Sequence, residues 1–170
     1  MSVILLFSGA LPAIQTRFVE PILDKISETL SAGMDSQIDG ISDEYSDFTL
    51  ESIRNYHIGE QGTIAEYPAI EIIPDNSPGT EYDAYSLMVS HEIKIRAWAT
   101  DDDATRLQRR IWRYQRAITE LLKADHTLGG YVSLIKFLGH AYEPMQTTEY
   151  GAYIYGGSVQ IEVDNEEATR

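Results

Sequence analysis

The sequence has no cysteine among its 170 residues, so disulfides and thiolate metal sites are both excluded and the fold must stand on packing or on association. Such a chain suits a reducing cytoplasm. It also lacks any apolar run that approaches the length of a membrane span, and no membrane association is expected. The start, MSVILLF, is apolar enough for a signal peptide but has no basic flank and soon meets Pro12, Gln15 and Arg17; it reads as a short buried strand or a staple on the first helix. Positive charge is scarce. Against 27 Asp and Glu stand 13 Lys and Arg, and the resulting net charge of -14 repels phosphate backbones, which disfavours stable nucleic-acid binding.

What remains is an ordinary globular composition, 43% hydrophobic and 24% charged, in a length that suits a single domain over residues 1–170. Charge is spread unevenly along it. Residues 1–90 hold 15 acids and only Arg17, Lys25 and Arg54 as bases, whereas Arg106, Arg109, Arg110, Arg113 and Arg116 crowd into one short segment.

Ile14, Phe18, Ile22, Ile26 and Leu30 recur every four residues and predict a helix from Pro12 to about Leu30 that ends at Gly33. Pro21 should kink or divide it, unless the helix begins at Glu20. The acidic stretch 34–47 reads as a loop, followed by a strand near Thr49–Ile58 and a turn at Gly59–Gly62. TIAEYPAIEII resumes extended structure, with Pro68 marking an edge or a strand start. Residues 74–83, PDNSPGTEYD, read as a second long loop.

The clearest strand is Leu87–Trp98, with Leu87, Val89, His91, Ile93, Ile95 and Ala97 on one face and Ser90, Glu92, Lys94 and Arg96 on the other. Thr100 stands where an N-cap belongs, and a helix follows to about Ala124 with the stripe Leu107, Ile111, Tyr114, Ile118, Leu121 and Leu122. After Gly129 and Gly130 come two more strands, near Tyr131–Tyr142 and Tyr150–Val163, with a bulge suggested at Gly156 and Gly157. The expected class is α+β: a mainly antiparallel or mixed sheet of four to five strands with two helices on one face.

The chemistry offered is thin. Asp35, Gln37, Asp39 and Gly40 match the opening of an EF-hand loop, but its twelfth place is Ser46 rather than the bidentate glutamate, so a solvated acidic stretch is favoured and no metal is expected. Asp101, Asp102 and Asp103 suit a helix start better than a metal site. His91 falls on the apolar face of a strand, and His57, His126 and His140 have no ligand spacing. Neither a nucleophile elbow, a phosphate-binding glycine loop nor a dinucleotide fingerprint occurs, so neither catalytic residue nor cofactor is assigned. The arginine helix has few acids after Asp103, so its guanidiniums must find carboxylates elsewhere in the fold or on a neighbouring copy.

YPAIEIIPD, HEIKIRAWATDDD and RRIWRYQRAITELLKADHTLGGYV, taken in order over roughly residues 65–135, resemble tail terminator proteins of long-tailed bacteriophages. The resemblance implies a structural virion protein, assembled in the host cytoplasm. It would cap the tail tube as a homohexameric ring and meet the head connector, with DNA passing through unbound. Neighbouring neck and tail-completion proteins share much of this pattern. Combined with the charge distribution, it nominates Arg106, Arg109, Arg113, Arg116, Asp101 and Asp102 as subunit-interface residues, and Pro74, Asp75, Asn76, Ser77, Pro78 and Gly79 as a partner-contacting loop. Two other classes compete: an acidic DNA mimic that inhibits a nucleic-acid enzyme, for which an arginine helix is superfluous, and an enzyme with dispersed residues, which would need a deep pocket with perturbed carboxylates or histidines.

Overall fold

The computed structural model describes residues 19–76, 79–81 and 86–168, so the expectations for MSVILLF, Ile14, Phe18, Ser77 and Pro78 lie outside the described residues. Its elements are α1 (Val19–Glu44), β1 (Asn55–Ile58), β2 (Ala69–Asn76), β3 (Gly79–Glu81), β4 (Ser86–Asp101), α2 (Ala104–Ala124), β5 (Leu134–Tyr142), β6 (Gln146–Thr147) and β7 (Tyr153–Ala168). One sheet runs in the order β1-β2-β4-β7-β5, with β3 beside β4 and β6 beside β7. Among the described residues only β1 and β2 pair parallel; the other pairings are antiparallel. The class is α+β as expected, with more short strands than the sequence announces.

The core lies between the sheet and the helices. Ile70, Ile72, Ile93, Ile95, Ala97, Val159, Ile161 and Val163 share one face through the register of β2, β4 and β7, and all are buried. Against them pack Leu107, Ile111, Tyr114, Ile118 and Leu122 of α2 and Ile22, Ile26 and Leu30 of α1. Each such side chain withdrawn from water contributes roughly 1.5–3 kcal/mol of hydrophobic stabilisation before entropy is counted.

Helix α1 does not stop at Gly33. It continues to Glu44, so the segment 34–44, read as a loop, is helix. The reason is a stripe that never breaks: Met34, Ile38 and Ile41 follow Leu30 at helical spacing and are all buried. Gly33 is a contact residue, since a Cβ there would stand 2.6 Å from Leu121 Cδ1. The positions that mimic an EF-hand are therefore helical. Pro21 leaves α1 unbroken because it stands in the first turn as described, where a missing amide forfeits no intrahelical bond.

Part of the stretch read as a second long loop is strand. Pro74–Asn76 belong to β2 and Gly79–Glu81 to β3, both paired with the 16-residue β4, and the register shifts between Pro74 and Asn76. A long central strand offers backbone partners well beyond its hydrophobic stretch, and loop-like composition yields to them. Likewise Thr100 and Asp101 remain in β4, and the N-cap of α2 is Asp103, whose carboxylate accepts from the Arg106 amide at 2.9 Å. Gly156 and Gly157 form no bulge; both pair regularly with β4 at Trp98 and Ala97. A Cβ at Gly156 would meet the Trp98 ring at 2.7 Å, and one at Gly157 would meet Ile111 Cγ2 at 2.5 Å. The glycine pair is what lets Trp98 lie on one face of the sheet and α2 on the other.

Gly157→Ala should therefore cost about 1–3 kcal/mol, because Ile111 is locked in the core and Gln115, the next neighbour, is held by hydrogen bonds to the Ser158 and Ala141 carbonyls. Gly33→Ala should cost less, since the obstructing atoms are the far methyls of Leu121, which is only partly buried. Urea midpoints of the two variants check the order.

Candidate assembly surface

The connection between α1 and β1 lies against α2, and the arginines hold it there. Arg113 donates to Asp47 at 2.6 Å while its guanidinium lies 4.0 Å from the Phe48 ring centre and 4.6 Å from that of Tyr45. Arg109 donates to the other Asp47 oxygen at 3.2 Å. Arg110 pairs with Glu51 at 2.8 Å and with Asp101 at 3.0 Å. Arg116 pairs with Glu44 at 2.8 Å and with Glu120, one turn on, at 2.6 Å. Tyr114 adds a hydrogen bond to the Glu51 carbonyl at 2.8 Å, and burial pushes its phenol well above the usual tyrosine range.

Arg106 turns the other way and caps the end of β4. It donates through Nε and Nη2 to Asp101, whose side chain is nearly sealed from solvent, and also to the exposed Asp102. The hydrogen bonds from Arg106 hold the Asp101 carboxyl far below the ordinary carboxylate range, against the opposing effect of burial. Arg113 lowers Asp47 in the same way and Arg116 lowers Glu44.

The nominated interface arginines thus find their carboxylates within the chain. Glu44, Asp47 and Glu51, at and after the end of α1, and Asp101, at the end of β4, are those carboxylates. The acidic stretch whose role the sequence left open supplies two of these four groups. Arg113 is a structural clamp with a side chain only 10% exposed, while Arg109 remains 53% exposed and available to a second partner. Of the nominated loop, Pro74 and Asp75 are exposed in β2.

What the sequence reading passed over is aromatic. Trp112 is 50% exposed, Tyr142 50% and Tyr45 41%. Trp112 and Tyr45 line a groove of about 370 Å³ together with Arg109, Arg113 and Arg116. Trp112 and Tyr142 line an adjoining hollow of about 300 Å³ on the other side of α2. Trp112 occupies the polar face of an amphipathic helix, outside the stripe of Leu107, Ile111 and Tyr114, and that misplacement is the signal by which it could have been found. Half-exposed Trp and Tyr interleaved with Arg are the side chains that dominate protein–protein contacts.

The opposite, helix-free face carries a separate polar cluster. Arg96, read as solvent-facing, is buried and meets Glu71, Glu60 and Glu143 at 3.3, 3.3 and 3.1 Å. Glu71, almost wholly buried, also accepts from the Trp98 indole at 2.7 Å and the Gln61 amide at 2.7 Å. The cluster sets three carboxylates around one guanidinium, with the Trp98 indole and the Gln61 amide as further donors to Glu71. Among the described residues no group of three or more His, Cys, Asp or Glu is arranged to hold a metal ion.

No family model matches the chain, and no curated protein sequence matches it. Among solved structures it is similar to a chain described as "Virion of native gene transfer agent (GTA) particle", at 9% identity and a TM-score of 0.31, over 82% of this chain and 98% of that one.

Two predictions follow from the clamp. Reversing Arg113 to Glu should cost more than about 2 kcal/mol, since it loses Asp47 and both rings, whereas Arg109→Glu should stay within about 0.5 kcal/mol of the parent; chemical denaturation distinguishes them. Because Asp101, Asp47 and Glu44 titrate below their unfolded values, their contribution is complete above about pH 5 and is lost as pH falls through 4 toward the folded values. The melting temperature should be flat in this respect from neutral pH down to about 5 and drop steeply below about 4.

Proposed function

We propose that the chain is a structural subunit of a long-tailed phage virion, a tail terminator that closes as a ring on the end of the tail tube and joins it to the head connector. The observation that carries the reading is the surface of Tyr45, Arg109, Trp112, Arg116 and Tyr142, whose make-up suits recognition of protein. Three of these five residues, Arg109, Trp112 and Arg116, lie on α2, within the segment that resembles tail terminators.

Electrostatics support a contact between unlike faces of identical copies. On helix α2 the exposed Arg109 shares its carboxylate, Asp47, with Arg113, so positive charge remains at the surface there. Helix α1 carries Glu20, Asp24, Glu28, Asp35, Asp39, Asp43 and Glu44 against the single base Lys25. Two different, complementary patches are what a head-to-tail ring requires. A net charge of -14 also suits a channel through which DNA must slide, because unneutralised acids forgo the counterion release that makes proteins grip phosphate.

The exposed acids Asp24, Glu28, Asp35, Asp39 and Asp43 on α1 favour one competing reading, an acidic DNA mimic. Native mass separates the two. A ring subunit should form a closed oligomer alone or on tail tubes, and Trp112→Ala should abolish it while leaving the melting temperature nearly unchanged, with tubes then growing to uncontrolled length. A protein that stays monomeric with tail tubes and instead blocks a nuclease would reverse the assignment.

A further inference from the structure

The turn between β6 and β7 presents one side chain in isolation. Tyr150 is 96% exposed, far more than any other large apolar residue described. It does not hang from a slack loop. The Thr148 amide donates to the Ala152 carbonyl at 2.7 Å, the Gly151 amide to the Thr148 carbonyl at 3.0 Å, and the Ala152 amide to the Thr148 hydroxyl at 3.1 Å. Gly151, at φ +82°, closes the turn in a conformation that other residues resist. An aromatic ring held out on a rigid hairpin loses little freedom on binding and is an efficient anchor for a protein contact.

Its neighbour Glu149 is also exposed. A separate feature of the surface is the Tyr45–Trp112 groove, rimmed by the guanidiniums of Arg109, Arg113 and Arg116. Arg116 already faces two carboxylates, Glu44 and Glu120, but Arg109 must share Asp47 with Arg113. Arg109 is thus the rim cation with charge to spare. Tyr150 touches nothing in its own groove, as its exposure shows, so the two features remain unjoined within one copy.

We propose that the Tyr150 hairpin of one copy seats in the Tyr45–Trp112 groove of the next, with Glu149 pairing with Arg109 across the contact. The inference rests on the self-association proposed above and specifies its two halves. The contact is heterologous, knob on one side and groove on the other, so each copy retains one free knob and one free groove until a ring closes. Aromatic against aromatic supplies the apolar anchor and the Glu149–Arg109 pair fixes orientation.

The absence of cysteine makes the test clean. Glu149→Cys and Arg109→Cys proteins, mixed and treated with a bismaleimide whose span matches the reach of a Glu–Arg pair, should yield a covalently linked pair of unlike subunits that neither gives alone, because the two thiols come within reach only where knob and groove belong to different copies. Independently, Tyr150→Ala should weaken association at least about tenfold, and Glu149→Arg or Arg109→Glu alone should weaken it while the two together restore it. An oligomer that forms normally with Tyr150→Ala and shows no cross-link overturns the knob-and-groove contact but leaves the ring standing. Monomeric parent protein, alone and with tail tubes, would instead remove the self-association beneath it.

Discussion

Arginine on α2 and carboxylate on the chain that leads away from α1 hold the two halves of this molecule in register. Asp47 is the centre of that clamp, accepting from Arg109 and Arg113 at once, and Arg113 lies between the rings of Tyr45 and Phe48. A pair of exposed charges at these distances would contribute little. Here the guanidinium is stacked, largely shielded and part of a run of pairs from Glu44 to Glu51, which is the setting in which charge becomes structural. With α1 carried to Glu44 by its apolar stripe, the clamp fastens the connector across α2, and β1 follows at the edge of the sheet.

Much of the sheet and of α2 was legible because two clean periods mark them. The alternation from Leu87 to Trp98 and the stripe from Leu107 to Leu122 each bury one face, and both elements stand where the sequence puts them. The failures share a cause. Gly33, Pro74 and the Gly156–Gly157 pair were read as local punctuation, when their roles are tertiary: close helix packing, pairing with a long neighbouring strand, and clearance for Trp98 and Ile111. One residue's conformational preference cannot announce a partner nearly ninety positions away, as Leu121 is from Gly33.

The assembly surface was half legible for a related reason. The arginines were conspicuous, and the question of their partners was well posed, but the answer depended on where residues 44–51 lie. Trp112 was visible as an aromatic on a polar helical face; that it adjoins Tyr45 and Tyr142 could come only from the packing of α1 and β5 around α2. Arg96 shows the limit on the opposite face, where strand alternation assigned it to solvent and Glu71 buried it.

The ladder between β4 and β7 has a mechanical consequence. Sixteen residues of each strand run antiparallel without a break, from the pairing of Ser86 with Ala168 to that of Asp101 with Tyr153. A pull along the strand axis loads these hydrogen bonds in shear, so that many must fail together, whereas a pull across it would open them one after another. The stiff direction of the subunit therefore lies along β4, and its free ends adjoin the cap of α2 at one extremity and β3 at the other.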